Sequence, residues 1–386
     1  MASKNSSEGS WNDDIEEDID PTALEKIVVF SRDWTVETIV SQIEKGNIDL
    51  EPKFQRRNAW NDARRSRLIE SLVINAPVPE IVLAEDPSHR NSFLVIDGKQ
   101  RLMAVAGFVK PEIYSFWYSP KLSGLKVRRD LNGKTFREIS DDDRSDVSSK
   151  LMNADVRCTV ISGYKKPDVL YDIFYRLNTG SVPLSAQELR QVLHKGPFAE
   201  WLINYTNVLR PIHPIIGCDG PDERLRDVEL VLRFIAFDTD IESYKGNLKK
   251  FLDDTMRRFN SDWVNYEAKA AASVNRFEKA IERLTRLLSA ERVDRKYTNK
   301  KWETIFNKAL FEVQAYYFAR ISTEKVSKAD SKLFLKEFQK LCQSKDFLTT
   351  IESTTKSTEN YRTRYSMFGE FLSSFFDTSI KPPAIG

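Results

Sequence analysis

The stretch that most constrains this chain is Phe93 to Val109. Phe93-Leu-Val-Ile96 reads as a short strand, Asp97-Gly98 interrupts it, and Leu102, Val105, Ala106 and Val109 then recur at helical spacing. Strand, glycine turn and helix N-terminus therefore follow one another directly. A helix N-terminus exposes unpaired backbone N–H groups and about half a positive charge, which suits an anion. Gly98 permits close backbone approach or a positive φ. Lys99 and Arg101 can add charge-assisted contacts to phosphate, Gln100 can position water or read a base, and Asp97 can offer one oxygen to Mg2+. The plainer alternative is that Asp97 caps the helix and Gly98 makes the turn. No GxxxxGK(S/T) string occurs, so this is not a P-loop.

The surrounding pattern supplies a small mixed domain. A helix beginning near Asp33 buries Val36, Ile39, Val40 and Ile43 and stops at Gly46. Pro52 and mixed polarity make Leu50 to Trp60 an ordered loop. A second helix from Asn61 or Asp62 buries Leu68, Ile69, Leu72 and Val73, and Pro77 and Pro79 follow it with extended chain. Ile81 to Ala84 is a strand, compatible with antiparallel pairing to 93–96 across a polar turn. Val156 to Ile161 is a further β-rich run. Asp168 to Leu177 has a helical stripe, Asn178-Thr-Gly180 breaks it, and Ser185 can cap the next helix. Glu188 and Arg190 lie two apart on that helix, so each needs a partner elsewhere. From Phe198 onward the periodicity is helical, with Phe277, Ile281, Leu284 and Leu288 on one stripe and Phe334, Phe338 and Leu341 on another. Arg224, Asp227, Glu229 and Arg233 read as an internal ion-pair network in that half.

Charge matters locally rather than globally. Lys plus Arg number 59 against 57 Asp plus Glu, a net charge of +2, so the total does not announce a nucleic-acid binder. Arg56, Arg57, Arg64, Arg65 and Arg67 nevertheless crowd into twelve positions and form a candidate phosphate-binding patch. For Arg64, Arg65 and Arg67 the alternative is a solvated helix face paired with Asp62 and Glu70. Arg56 precedes the helix beside Phe54 and Trp60, where a guanidinium tends to have a specific partner. Asn178 and Thr179 stand at a helix end and can serve as caps or as site residues.

Several chemistries drop out. Cys158, Cys218 and Cys342 lie far apart without a CxxC pair, which suits a reduced cytoplasm and excludes a zinc finger. His213 and Cys218 lack a second ligand pair, and no GxSxG elbow supports a serine hydrolase. No window of 18 uninterrupted apolar residues marks a membrane span. A cytoplasmic protein with no membrane partner is the expectation.

The succession FQRRNAW, LIESLVINAPVP, FLVIDGKQRLMAV and FYRLNTGSVPLSAQELR resembles the domain-of-unknown-function family 262 over residues 35–195, and RDVELVLRFIAF is similar to the family's downstream helix. That family includes the N-terminal half of GmrSD-type modification-dependent restriction enzymes and the phosphorothioate-sensing anti-phage nuclease SspE. The resemblance implies a ParB- and sulfiredoxin-like fold and a motif that binds and hydrolyses a nucleoside triphosphate, GTP or another. By position it points to Asp97, Gly98, Gln100 and Arg101, with Gln55 and Arg56 facing the same pocket and Asn178 joining them. Lys99 stands where the family usually has Gln, adding positive charge beside the expected phosphates. Longer relatives carry a C-terminal HNH nuclease, whereas the only histidine in residues 198–386 is His213. A separate nuclease subunit would supply the cut.

The expectation is therefore an α+β protein: an acidic flexible tail over 1–26, a ParB/sulfiredoxin-like nucleotide-binding domain over 27–197 and an all-helical domain over 198–386. Asp97, Gln100 and Arg101 are the candidate catalytic residues. Gln55, Arg56, Gly98, Lys99 and Asn178 are the candidate nucleotide ligands, and Arg57, Arg64, Arg65 and Arg67 the candidate DNA contacts. Expected partners are a nucleoside triphosphate with Mg2+, DNA and a nuclease subunit, with a homo-oligomer left open. Two rivals stand beside this reading: a non-enzymatic DNA-binding or sensor subunit, and direct nicking of DNA at the same pocket by Asp97 and a divalent metal.

Overall fold

A computed structural model describes residues 27–50, 60–87, 89, 91–115, 117–142, 144–164, 169–170, 173, 185–352 and 357–385. The chain divides into two compact units, one containing the described residues up to Leu193 and the other those from His194 onward.

The first unit is built on a four-stranded sheet. Its elements run β1 (Val28–Thr35), α1 (Val36–Glu44), α2 (Asp62–Val73), β2 (Ile81–Glu85), β3 (Phe93–Asp97), α3 (Lys99–Val109), α4 (Phe136–Ser140), α5 (Val147–Met152), β4 (Asp155–Ser162) and α6 (Ala186–Leu193). Strand order is β1-β4-β2-β3. The β1–β4 and β2–β3 pairs are antiparallel, and β2 runs parallel to β4. Alternation along the strands divides the core. Ile81, Leu83, Val95, Cys158 and Val160 belong to one cluster with the apolar stripes of α1, α2 and α3. Val82, Ala84, Leu94, Ile96 and Ile161 belong to the other, with Leu189 and Val192 of α6. Helices therefore cover both faces. Val36, Ile39, Val40 and Ile43 are all buried, as their spacing required. The α1 helix starts at Val36 rather than Asp33 because Thr35 caps it, its Oγ1 accepting from Thr38 N–H at 3.2 Å.

The second unit is helical around the 26-residue helix Trp263–Leu288, which buries Phe277, Ile281, Leu284 and Leu288. A two-residue ladder, Tyr297–Thr298 against Lys301–Trp302, departs from the all-helical expectation. Asn299 and Lys300 take the positive φ values of its tight turn. Of the expected ion-pair network Arg233 and Glu229 are joined, whereas Asp227 pairs with His213, and the network extends to residues outside its sequence signature. Buried Arg233 bridges Glu229 on its own helix at 2.7 Å and Glu312 on the helix Lys308–Phe318 at 2.6 Å. Lys308 adds a bridge to Glu229, and the Tyr361 hydroxyl donates to Glu312. Among the described residues, no helix is long and apolar enough to cross a membrane.

Candidate functional site

The strand–turn–helix junction forms as its sequence dictates. β2 and β3 lose register between Val82 and Leu83, so that Leu83 faces Val95 while Val82 faces Asp97. Such an irregularity re-aims the residues after it, here Asp97 at the end of β3. Gly98 takes φ 93 and ψ 7, a left-handed conformation that side chains resist. A Cβ there would lie 3.0 Å from Ile81 Cγ1 and 3.2 Å from Arg101 Nη2, so both side chains would have to give way, on top of the strain from φ.

Arg101 fastens this turn from beneath. Only 8% exposed, it donates through Nη2 to Asp97 Oδ2 and to the Glu80 carbonyl, both at 2.9 Å. Asp97 Oδ1 accepts from Gly98 N–H at 2.7 Å. The carboxylate is therefore spent on the turn and on Arg101, and no side chain caps α3. That decides against Asp97 as a simple cap. The first-turn amides of Gln100 and Arg101 have no acceptor within the helix. Two further polar atoms beside them, Gln100 Oε1 and Arg101 Nε, are buried and have no hydrogen-bond partner. Buried polar groups of this kind each cost roughly 1–3 kcal/mol when unsatisfied, so a polar ligand here would relieve a standing penalty. Lys99, half-buried at the start of α3, places its charge at the same helix end.

The arginines of α2 separate into two groups. Arg65 turns inward, 7% exposed, and pairs with Asp62 at 2.8 Å with its guanidinium 5.8 Å from the centre of the Trp117 ring. Burial lowers its pKa while Asp62 opposes that shift. Arg64 and Arg67 are exposed, Arg64 lying 4.6 Å over the Trp60 ring. Glu70 does not pair with them; its Oε1 accepts from the backbone N–H groups of Val127 and Arg128. Gln55, Arg56, Arg57 and Asn178, like the 1–26 segment and most of 168–177, lie outside the described residues.

In α6, sequence reasoning found the Ser185 cap but passed over the buried amide side chains. Ser185 and Glu188 form a reciprocal capping box, which gives Glu188 a local partner. Gln187, Arg190 and Gln191 are all buried; Gln187 Oε1 accepts from Arg190 Nη1 at 2.8 Å, whereas Gln187 Nε2 and both amide atoms of Gln191 are unpartnered. The available signal was polar residues on the helical stripe next to Leu189 and Val192. In the second unit, His213 Nδ1 accepts from Arg210 N–H at 2.7 Å and its Nε2 lies 3.0 Å from Asp227 Oδ2, both side chains fully buried. Both ring nitrogens are thus committed inside the protein.

The profile described as the GmrSD restriction endonuclease N-terminal domain matches residues 36–195, which contain α1 to α6, β2 to β4 and the whole Asp97–Arg101 turn. No curated protein and no solved structure matches the chain. Residues 36–195 of this protein are therefore similar to a GmrSD-type restriction endonuclease N-terminal domain.

Proposed function

We propose that this protein acts in restriction-type anti-phage defence, and that its N-terminal unit binds and hydrolyses a nucleoside triphosphate at the Asp97–Arg101 turn to control recognition or cleavage of DNA. The observation that carries the reading is the uncapped N-terminus of α3 with Gln100 Oε1 and Arg101 Nε buried and unpartnered beside it. A phosphate group is what such an arrangement accepts: helix amides, a close-approach glycine and a guanidinium with a donor to spare. In this proposal Gly98 and the α3 amides cradle the phosphates, Arg101 stabilises charge on them and Gln100 positions the attacking water. Lys99 adds a point charge, and Gln55, Arg56 and Asn178, outside the described residues, are further nucleotide ligands in this proposal.

Asp97 fits one of its two expected roles better than the other. Both its oxygens are engaged and a guanidinium lies 2.9 Å away, so it orients the loop rather than standing ready as a Mg2+ ligand. A magnesium ion would arrive with the phosphates and supply charge neutralisation there. DNA is the substrate class that the restriction-type domain implies, and in this proposal a separate nuclease subunit makes the cut; His213 is held in a buried pair with Asp227.

Nucleotide binding is the direct test. A ligand at about 100 times its Kd stabilises the folded state by about 2.7 kcal/mol. Thermal unfolding of the full chain should shift upward on titration with nucleoside triphosphate, and the shift should vanish in an Arg101→Ala variant shown by circular dichroism to be folded. Equal shifts in the two proteins would place the nucleotide elsewhere, and no shift with any nucleotide would favour the DNA-binding sensor reading.

A further inference from the structure

Between α3 and α4, residues 117–129 are held as a rigid strap along α2. Trp117, Leu122 and Leu125 are buried in the core, at 1%, 1% and 4% exposure. The strap is hydrogen-bonded to α2 at two successive points, and at Gly124 it passes Ala63 at ordinary packing distance, an added Cβ lying 3.9 Å from Ala63 Cβ. Ser66 Oγ accepts from Ser123 N–H at 2.9 Å, and Glu70 Oε1 accepts from Val127 and Arg128 N–H at 2.9 and 2.8 Å. Positions 63, 66 and 70 form one stripe of the helix, which puts Arg67, their helical neighbour, alongside the strap with Arg64 one turn away.

What the strap turns outward is unusual. Tyr118 is fully exposed and Val127 is 66% exposed, between the exposed cations Lys121, Lys126 and Arg129. None of Lys121, Lys126, Arg129, Arg64 and Arg67 has a carboxylate within salt-bridge distance among the described residues. The carboxylates bordering the strap have other partners in salt-bridge or hydrogen-bond distance, Asp130 with Arg128, Glu138 with the Thr135 cap, Asp142 with Lys134 and Asp146 with Lys150, and Glu138 also feels the Lys121 charge.

We infer that this face, Arg64 and Arg67 of α2 with Lys121, Lys126 and Arg129 of the strap, is a duplex-DNA backbone-binding surface. The inference rests on the reading that DNA is the protein's substrate class. The cations are spread along a helix and an extended strap instead of converging on one pocket, which matches a row of phosphates rather than a single small anion. The Tyr118 hydroxyl is a further phosphate donor, of the kind that positions a protein on DNA without reading sequence.

The test is fluorescence anisotropy of a labelled duplex with the full chain, from roughly 50 to 200 mM salt. Lys121→Gln/Lys126→Gln/Arg129→Gln should weaken binding about tenfold or more and lower the salt slope by about 2 to 3, since each phosphate no longer neutralised removes about 0.9 from it. A matched control, Lys325→Gln/Lys332→Gln/Lys336→Gln in the helical unit, removes the same charge and should bind as wild type. Equal losses in both variants would reduce the effect to net charge and overturn the surface, as would an unchanged slope in the first. Tighter binding of RNA or heparin than of duplex DNA would overturn the assignment of partner. Absence of all DNA binding by the wild type would instead fail the substrate reading itself. Nucleotide-induced stabilisation is read separately and should be the same in both variants.

Discussion

The two units use arginine in opposite ways. In the helical unit arginines join elements: Arg233 ties two helices through Glu229 and Glu312, and Arg276 and Arg320 converge on Asp238. In the N-terminal unit buried Arg65 and Arg101 pair with carboxylates three and four residues away, Asp62 and Asp97, and Arg64, Arg67 and Arg129 lie on the surface without a carboxylate in salt-bridge distance among the described residues. Where a guanidinium is consumed by the fold, it explains stability. Where it is held in place with a donor left over, as in Arg101, it is available for the phosphate recognition proposed above.

The sharpest way to break that contrast is to remove one arginine of each kind. Arg233→Ala takes the shared buried guanidinium from Glu229 and Glu312, leaving them Lys308 and the Tyr361 hydroxyl, and should cost about 3 kcal/mol. Arg65→Ala leaves Asp62, which is 53% exposed, free to be solvated, and should cost about 1 kcal/mol. Urea unfolding of both variants checks the pair, and similar losses would erase the distinction. Next in size, Gly98→Ala forces a side chain into φ 93 and should cost about 1–3 kcal/mol. Unlike Arg233→Ala, it should also abolish the nucleotide-induced thermal shift.

Alkaline titration separates the units more gently. Burial raises the pKa of Tyr244, Tyr317, Tyr361 and Tyr365 in the helical unit, against Tyr114 and Tyr164 in the other. Unfolded tyrosines lose protons near pH ~10 while the folded ones keep them, so the unfolded state binds fewer protons and stability falls as pH rises above that point. The helical unit should unfold first above pH ~10, followed by the near-ultraviolet signal of its tyrosines; simultaneous loss of both units would contradict this. The smallest effect concerns the thiols. Burial pushes Cys158 and Cys218 up to about 12 and Cys342 up to about 11, so all three stay protonated at neutral pH. A thiol reagent should label the native protein slowly and all three cysteines promptly after denaturation.

Much of the N-terminal architecture was legible because it is periodic. The stripes of α1 and α2, the β2–β3 pair and the Gly98 turn each follow from apolar spacing or from a residue with one conformational use. β1 was not, because Val28-Val-Phe-Ser-Arg-Asp-Trp-Thr35 is an edge strand with no fully buried position, and only its pairing with β4 defines it. The strap over 117–129 was equally silent: its anchors Trp117, Leu122 and Leu125 follow neither a helical nor a strand period. At the site, the sequence singled out Asp97, Gly98 and Arg101 correctly as neighbours. It did not show that Arg101 lies beneath the turn or that Arg65 faces inward, since both depend on which neighbour each guanidinium meets after folding.

Phosphate release bears most directly on the central claim. The purified full chain should be assayed with each of the four nucleoside triphosphates and Mg2+, with and without duplex DNA, beside folded Arg101→Ala. The expected result is turnover with at least one nucleotide, altered by DNA and lost by about 100-fold or more in the variant, as for removal of a preorganised charge donor. Release by Arg101→Ala at the wild-type rate, or no release with any nucleotide, would contradict it.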